Sequence, residues 1–416
     1  MDDVTPGPNP PLLFDPTDPA FRADPAPVYR LLRDTAPVLD AAPGLWVVSR
    51  HADCERLLRD RRLGKNLAGS RMAAEATGAA TEDPSFLGVG LEGWDAKLFD
   101  LLDPPGHTRL RGLVAGSFTP AVIAALEEST AAFAGAALDA LPAAFEVMEH
   151  LAAPLAARVI GDLLGIPRSD QARFQQWSSA IARILEPGAA PPEEQAAACR
   201  RSLAECTGYF VGLLETRTGH GTDLISQLAR SRTLHDEFTA HQLAAICVLL
   251  VVPGLDTFAN FLGNAVEACT RWPEPLRAVA AEPERTDDVV DELVRLASPT
   301  QASWRVALEP VEVHGRTFAA GDVVLLLLGS ANRDERVFAD PDDFRLDRPR
   351  REHLAFGRGI HYCVGDKLSR MMAAAALRAL AERYGGLRLT AAAVPKPGVW
   401  SRGPARLPVA AEPRRR

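Results

Sequence analysis

The sequence predicts a mainly α fold with a minor β region. Three observations carry this: alanine and leucine dominate the long segments, a central run is apolar at every helical position, and strand character is confined to short stretches punctuated by glycine. The chain has 416 residues, 47% hydrophobic and 24% charged, ordinary values for a protein with a substantial core. No Gly/Ser linker or charge run divides it, so residues 1–416 are read as one domain.

After a proline-rich lead, Pro25 to Asp34 and His51 to Arg62 have helical spacing, and Leu45 to Ser49 between them has strand character. Residues 64–98 are rich in Gly and Ala with weak periodicity and read as an irregular segment able to form a pocket wall. Asp103-Pro104-Pro105-Gly106 sets up a helix start, and alanine-rich helices follow to about Gln227. His241 to Trp272 reads as one long helix, apolar on all sides from Ala244 to Val252, which implies burial through the centre. Into it fall Pro253, Gly254, Asp256 and Thr257. An interior proline costs about 3 kcal/mol, and a carboxylate in an apolar helix costs more unless paired, so four awkward residues together mark a working site. Val311 to Val324, with Gly315 and Gly321, returns to strand character.

Residues 356 to 365 read Phe-Gly-Arg-Gly-Ile-His-Tyr-Cys-Val-Gly. Gly357, Gly359 and Gly365 permit a tight backbone able to approach a bulky planar group, and Cys363 is the one soft ligand in the loop. Asp366 to Tyr384 continues at helical spacing and is expected to stop at Gly385-Gly386. Cys363 thus sits near a helix N-terminus, where partial positive charge favours a thiolate.

A net charge of -8 argues against nucleic acid or a polybasic membrane contact as partner. The six cysteines, at 54, 199, 206, 247, 269 and 363, have neither zinc-site spacing nor the density of a disulfide scaffold, which suits a reducing cytoplasm. Met1 to Asp18 is acidic and proline-rich, unlike a signal peptide. The apolar run Leu243 to Leu255 contains Pro253 and is shorter than the ~20 residues a membrane span needs. A soluble, cytoplasmic monomer is expected.

The decapeptide resembles the haem-binding loop of the cytochrome P450 family, F-G-x-G-x-H-x-C-x-G, matched at Phe356, Gly357, Gly359, His361, Cys363 and Gly365. The resemblance implies a triangular helical prism with haem b, iron protoporphyrin IX, between the central helix and the cysteine loop, and Cys363 as iron ligand. It further implies that His107, Arg111, Arg305 and His353 reach the haem propionates, for which an Arg fork and a His N–H are apt donors. Taken alone, His107 and Arg111 are also a solvated basic face. Glu292 and Arg295 resemble the family's E-x-x-R pair, with Arg348 as third member and a structural role in holding the loop. On the central helix Gly254, Asp256 and Thr257 match the family's oxygen-activating stretch. The implied roles are a Thr257 hydroxyl turned toward dioxygen or a neighbouring water, and proton relay by Asp256. Pro253 and Phe258 depart from the usual pattern, where small residues or a second threonine are common. A side-chain cap at a helix kink is the competing reading of Asp256 and Thr257.

The resemblance implies a bacterial-type monooxygenase that inserts one atom of O2 into an organic substrate, by hydroxylation, epoxidation or oxidative dealkylation, in secondary metabolism or catabolism. The chain carries no flavin or dinucleotide fingerprint and no ferredoxin-like cysteine cluster, so electrons from NAD(P)H must come through partners, a ferredoxin and its reductase. Arg109, Arg358, Lys367 and Arg370 are the candidate docking patch. Pocket walls are expected from residues 64–98, from the helix around Phe174, Trp177 and Ile181, and from Thr300 to Ser303, around a small or mid-sized organic substrate. Two alternatives stay open: oxidative coupling or peroxide-driven oxidation on the same fold, and a non-catalytic haem sensor.

Overall fold

The computed structural model describes residues 13–77, 98–182, 192–217, 220–234, 238–348 and 352–414. Residues 78–97 of the expected pocket wall and 1–12 of the lead lie outside them. The helix expected from His241 to Trp272 runs from Ala240 to Arg271. Thr239 starts it: its hydroxyl accepts from the Gln242 N–H at 3.1 Å, and the Gln242 side chain accepts from the Thr239 N–H at 3.1 Å. At 1.5 Å per residue it spans about 48 Å. Helices Ala153–Leu164, Gln171–Ala182 and Glu193–Thr216 pack around it and bury Leu243 to Val248, Val251 and Val252.

This burial is not complete on all sides, as the composition alone suggested. Leu249 and Leu250 are half-buried and Pro253 is exposed, which leaves one open stripe on an otherwise enclosed helix. Pro253 does not end the helix. The Val252 carbonyl beside it accepts from the buried Ser178 hydroxyl at 3.1 Å, so an adjacent backbone oxygen is answered from the neighbouring helix. By length and hydropathy this helix and Pro120–Asp139 would each suffice to cross a membrane, but 72% of the former's most apolar window is buried inside the protein.

A five-stranded sheet lies to one side, in the order Val38–Ala42, Leu45–Val48, Val323–Leu326, Ser303–Ala307, Leu63–Gly64. Only Leu45–Val48 and Val323–Leu326 are parallel. The pairing of Gly64 with Val306 matters for the site, because it brings the residue after Gly64 beside Trp304 and Arg305. Asp60 shortens the helix expected to reach Arg62: the helix stops at Arg59, and the Asp60 carboxylate accepts from the Arg62 N–H at 3.0 Å in a turn that feeds the edge strand.

The C-terminal sheet was not legible locally. Ala144–Glu146, Pro408–Pro413 and Tyr384–Leu389 form it, and Val394–Pro395 pairs with Pro404–Arg406 in a hairpin. The helix Asp366–Arg383 stops within one residue of the expected end, as Tyr384 turns extended, and the chain through the two glycines continues into a ladder with Pro408–Pro413. That strand was not expected, because its partner lies more than twenty residues away.

Glu292 and Arg295 are buried and joined by two bonds, at 2.7 and 2.9 Å. Arg348 Nε adds a third, 3.1 Å from Glu292 Oε1. Arg295 also donates to the carbonyls of Asn332, at 2.9 Å, and Pro341, at 2.8 Å. Asn332 in turn accepts from the Leu354 N–H at 2.6 Å, two residues before Phe356. The cluster thereby holds the strand of chain that enters the cysteine loop. Removing one partner strands a buried charge: Arg295→Leu is expected to cost about 3–5 kcal/mol, read by urea denaturation.

Candidate active site

The cysteine loop is set by backbone geometry. Cys363 donates its N–H to the Phe356 carbonyl at 3.0 Å, Gly357 to Leu354 at 2.9 Å, and Tyr362 to Gly359 at 3.1 Å, closing the ten residues into a tight turn. Gly357 and Gly359 have φ of +69° and +74°. At Gly359 a side chain is doubly excluded, because a Cβ would lie 2.6 Å from the Leu58 carbonyl. Gly365 caps the helix Asp366–Arg383. Burial pushes the Cys363 thiol up from an ordinary 9.0 to about 11, although the Gly365 N–H and the Arg111 charge both act to lower it. The helix N-terminus is therefore too weak to make the thiolate alone.

Next to the loop lies a concentration of buried basic groups. Helix Gly106–Ala115 supplies His107 and Arg111, strand Ser303–Ala307 supplies Arg305, the edge strand leads into Lys65, and the loop supplies His361. The His107 and His361 rings are 4.3 Å apart between centroids, and all four of their nitrogens are buried without a hydrogen-bond partner among the described residues. Lys65 Nζ stands 4.2 Å over the Trp304 ring and 3.4 Å from Ser303 Oγ, and Arg305 donates to that same hydroxyl at 3.0 Å. Arg111 donates to the Tyr362 carbonyl at 2.5 Å, tying the cluster to the residue before Cys363. Asp100 is the nearest carboxylate, 3.9 Å from both Lys65 and His361, too far for a hydrogen bond.

The electrostatic result is a set of bases that resist charging. Burial, with the charges of Lys65, Arg305, His107 and Arg111, pushes His361 down to about 2. Burial likewise pushes Lys65 down to about 8 and Arg305 down to about 10, and lowers His107. Buried cations without anions are costly, so this region is built for an anionic guest.

On the central helix, Asp256 is held from the C-terminal hairpin. Lys396 Nζ is 2.5 Å from Asp256 Oδ1, while Oδ2 accepts from Asn260 at 2.9 Å and from Ser401 at 3.3 Å. Thr257 is half-buried, and its hydroxyl makes no hydrogen bond among the described residues. Gly254 packs on Ile160, where a Cβ would come within 3.1 Å, so its missing side chain serves helix packing as well.

Comparison with known proteins settles the family. The Cytochrome P450 family model matches residues 213–385. The cytochrome P450 monooxygenase PikC of Streptomyces venezuelae is 34% identical over 381 residues, covering 89% of this chain and 86% of that protein. This chain belongs to the cytochrome P450 family. The 6-deoxyerythronolide B hydroxylase of Saccharopolyspora erythraea is 31% identical over 89% of the chain and 91% of its own length. The structure of P450 RauA, complexed with a biosynthetic intermediate of aurachin RE, superposes with a TM-score of 0.86 at 35% identity, covering 96% of this chain and 99% of that one. The fold is thus the P450 fold, and the chain is a bacterial-type P450 monooxygenase that uses haem iron and O2 and takes its electrons from a redox partner.

The residues present fit a haem. Two propionate carboxylates are the counter-charge that Lys65, Arg111, Arg305 and the orphaned nitrogens of His107 and His361 lack. The glycine turn keeps side chains from the planar face, and Cys363 offers one soft ligand. His353 does not belong to this group. Its Nε2 lies 3.1 Å from Asp291 and 3.2 Å from Arg370, on the far side of Phe356, whose ring Arg370 also covers at 5.1 Å. A half-exposed carboxylate neighbour, Asp291, holds the imidazole that the resemblance assigned to a propionate. Asp291 itself is held down at about 2, where the His353 and Arg370 contacts outweigh its burial. Lys65 was missed, inside a segment read only as irregular. The pairing of Leu63–Gly64 with Val306–Ala307 recruits it, and no local signal announces that pairing. Of the expected docking patch, Arg358 pairs with Glu352 at 3.0 Å and Arg370 with Asp291 at 2.6 Å, Arg109 stacks on Phe238, and Lys367 is exposed.

Arg305→Leu and Lys65→Met are each expected to weaken haem retention about tenfold to a hundredfold, as loss of a charge-assisted bond implies. His353→Ala should leave it within about twofold. Transfer of haem to apomyoglobin measures both. The apoprotein should also gain stability as pH rises from about 8 toward 10.5. Lys65 is lowered in the folded state, so the unfolded chain binds the extra proton in that window. Urea titrations across that range should show the gain in the native sequence and a flatter profile in Lys65→Met.

Proposed function

We propose that Cys363 ligates the iron of haem b and that Lys65, His107, Arg111, Arg305 and His361 hold its two propionates, with Phe356, Gly357 and Gly365 against the ring. The single observation that carries this is the basic cluster beside Cys363: among the described residues its nearest carboxylate, Asp100, stands 3.9 Å from Lys65 and His361, and the His107 and His361 nitrogens are buried without a hydrogen-bond partner. The bound haem supplies oxygen activation: O2, two electrons and two protons yield one oxygen atom in the substrate and one water. The chain's own residues manage the protons and the pocket. Thr257 offers a hydroxyl without a hydrogen-bond partner among the described residues on the open stripe, fit to orient a water or a proton, and Asp256, one residue earlier, is the acid that passes protons inward. An intact acid and alcohol pair favours turnover over a non-catalytic sensor.

The open stripe is apolar, with Leu249, Leu250 and Pro253 exposed or half-buried, and suits a mid-sized hydrophobic molecule. The relatives suggest its class. One is named a hydroxylase of 6-deoxyerythronolide B, and another is complexed with a biosynthetic intermediate of aurachin RE, so the substrate assigned to this chain is an intermediate of secondary metabolism. Electrons come from NAD(P)H through a ferredoxin reductase and a ferredoxin, and the enzyme acts in the cytoplasm as a single-domain monomer. With two of the four patch cations already committed to carboxylates, the docking surface for the ferredoxin rests on Lys367 and its surroundings.

Cys363→Ala should abolish the carbon monoxide difference band of thiolate-ligated ferrous haem; a persisting band of that type rejects the ligand. Thr257→Ala should raise peroxide release relative to product by about tenfold, and unchanged coupling would remove Thr257 from proton handling. Screening biosynthetic intermediates for a low-spin to high-spin shift identifies the substrate.

A further inference from the structure

Asp100 is held at the mouth of the basic cluster by its neighbour in the chain. It lies in the short turn Phe99–Leu101, whose Phe99 is buried with its ring 6.4 Å from the His107 ring, while the Asp100 side chain stays 44% exposed. Its two oxygens face different bases, Oδ2 toward Lys65 Nζ and Oδ1 toward His361 Nδ1, each at 3.9 Å. Asp103, the other carboxylate nearby, is committed to backbone: Oδ1 accepts the Lys65 N–H at 2.7 Å and Oδ2 the Asn66 N–H at 3.4 Å, which fixes the stretch that carries Lys65. The Asp100 charge is felt across the site. It favours the charged forms of Lys65, His107 and Arg305 and acts to raise the Cys363 thiol.

A count of charges gives this carboxylate a role. Lys65, Arg111 and Arg305 bring three positive charges, while burial drives His107 and His361 toward the neutral form. Two propionates answer two of the three, and Asp100 is the carboxylate within reach of the remainder. We propose that Asp100 is the third anion of the haem site, a charge-setting residue that lowers the reduction potential of the bound haem and keeps the cluster from gripping the propionates as tightly as its cations alone would. This rests on the reading that the propionates occupy the cluster. One charge then has two opposite effects. In the apoprotein it offsets the mutual repulsion of Lys65 and Arg305, and beside the propionates it is a like charge that opposes them. One-electron reduction, with the electron from the redox partner, adds negative charge next to Cys363, and a fixed carboxylate disfavours that step relative to a neutral side chain.

The test compares Asp100→Asn, which removes the charge and keeps the shape, with Asp100→Glu, which keeps the charge. In spectroelectrochemical titration of substrate-free holoenzyme, Asp100→Asn should favour ferrous over ferric haem by about threefold, a rise of about 30 mV on the one-electron scale. Transfer of haem to apomyoglobin should slow about threefold at low ionic strength, as expected for a partly exposed charge. The difference should vanish in about 1 M NaCl, where the screening length falls to about 3 Å. The Asp100→Asn apoprotein should unfold at lower urea than the native apoprotein, and Asp100→Glu should stay within about twofold of native in potential and transfer. A merely structural tether has the opposite sign: its loss speeds haem transfer at every salt concentration. Faster transfer from Asp100→Asn, or a native-like potential and transfer rate while Lys65→Met and Arg305→Leu shed haem, overturns the third anion and leaves the propionate reading standing. Native retention in Lys65→Met and Arg305→Leu overturns both. If Asp100→Asn takes up no haem, Asp100→Ser replaces it, and failure of both to load overturns the proposal.

Discussion

A crowd of basic groups beside Cys363, whose nearest carboxylate among the described residues is Asp100 at 3.9 Å, is the constraint around which this molecule is organised. Lys65, His107, Arg111, Arg305 and His361 come from four separate stretches of chain, and each is costly to bury alone. Burial drives Lys65 and Arg305 down and leaves His107 and His361 neutral with unanswered nitrogens. A penalty of this kind, several kcal/mol per uncompensated charge, survives in a fold only when a guest removes it. Two haem propionates would do so, and on the proposed reading the cofactor contributes to stability as well as to chemistry.

The remaining architecture serves that arrangement. The edge strand delivers Lys65, the helix after Asp103 delivers His107 and Arg111 one turn apart, and the antiparallel partner strand delivers Arg305. Glu292, Arg295 and Arg348 form a second cluster, one carboxylate shared by two guanidiniums that also donate to backbone carbonyls, and it fixes the chain entering the cysteine loop. The two clusters differ in kind, because the donors of this one are answered within the protein. Cys363 lies beside the basic cluster, its thiol pushed up by burial, and a bound metal would hold it as the thiolate.

Across the fold, the central helix combines enclosure with a single open stripe. Its apolar run packs under three helices, and Pro253 lies on the open stripe without ending the helix. The acid beside it is not left in that space. Lys396, Asn260 and Ser401 draw it to the hairpin, so two adjacent residues, Asp256 and Thr257, look to different parts of the molecule.

The family, the thiolate-bearing loop, the long helix and the E-x-x-R pair were legible in the residues themselves. Each rests on local order: glycines at fixed positions, apolar periodicity, or an i,i+3 spacing. Cys363, Thr257, His107, Arg111 and Arg305 could all be named from the chain. What local order does not encode is which distant groups meet. His353 sits in the same motif run as Cys363, yet Asp291 and Arg370 claim it. Lys65 has no motif and joins the cluster because two short strands pair. Gly385 and Gly386 mark the helix end as read, but the strand they enter, and the pairing of Lys396 with Asp256, come from the C-terminal sheet and hairpin. The sequence by itself determined the chemistry on offer and the elements that carry it. The tertiary structure decided which charges are answered, because burial and long-range strand pairing depend on residues far apart in the chain.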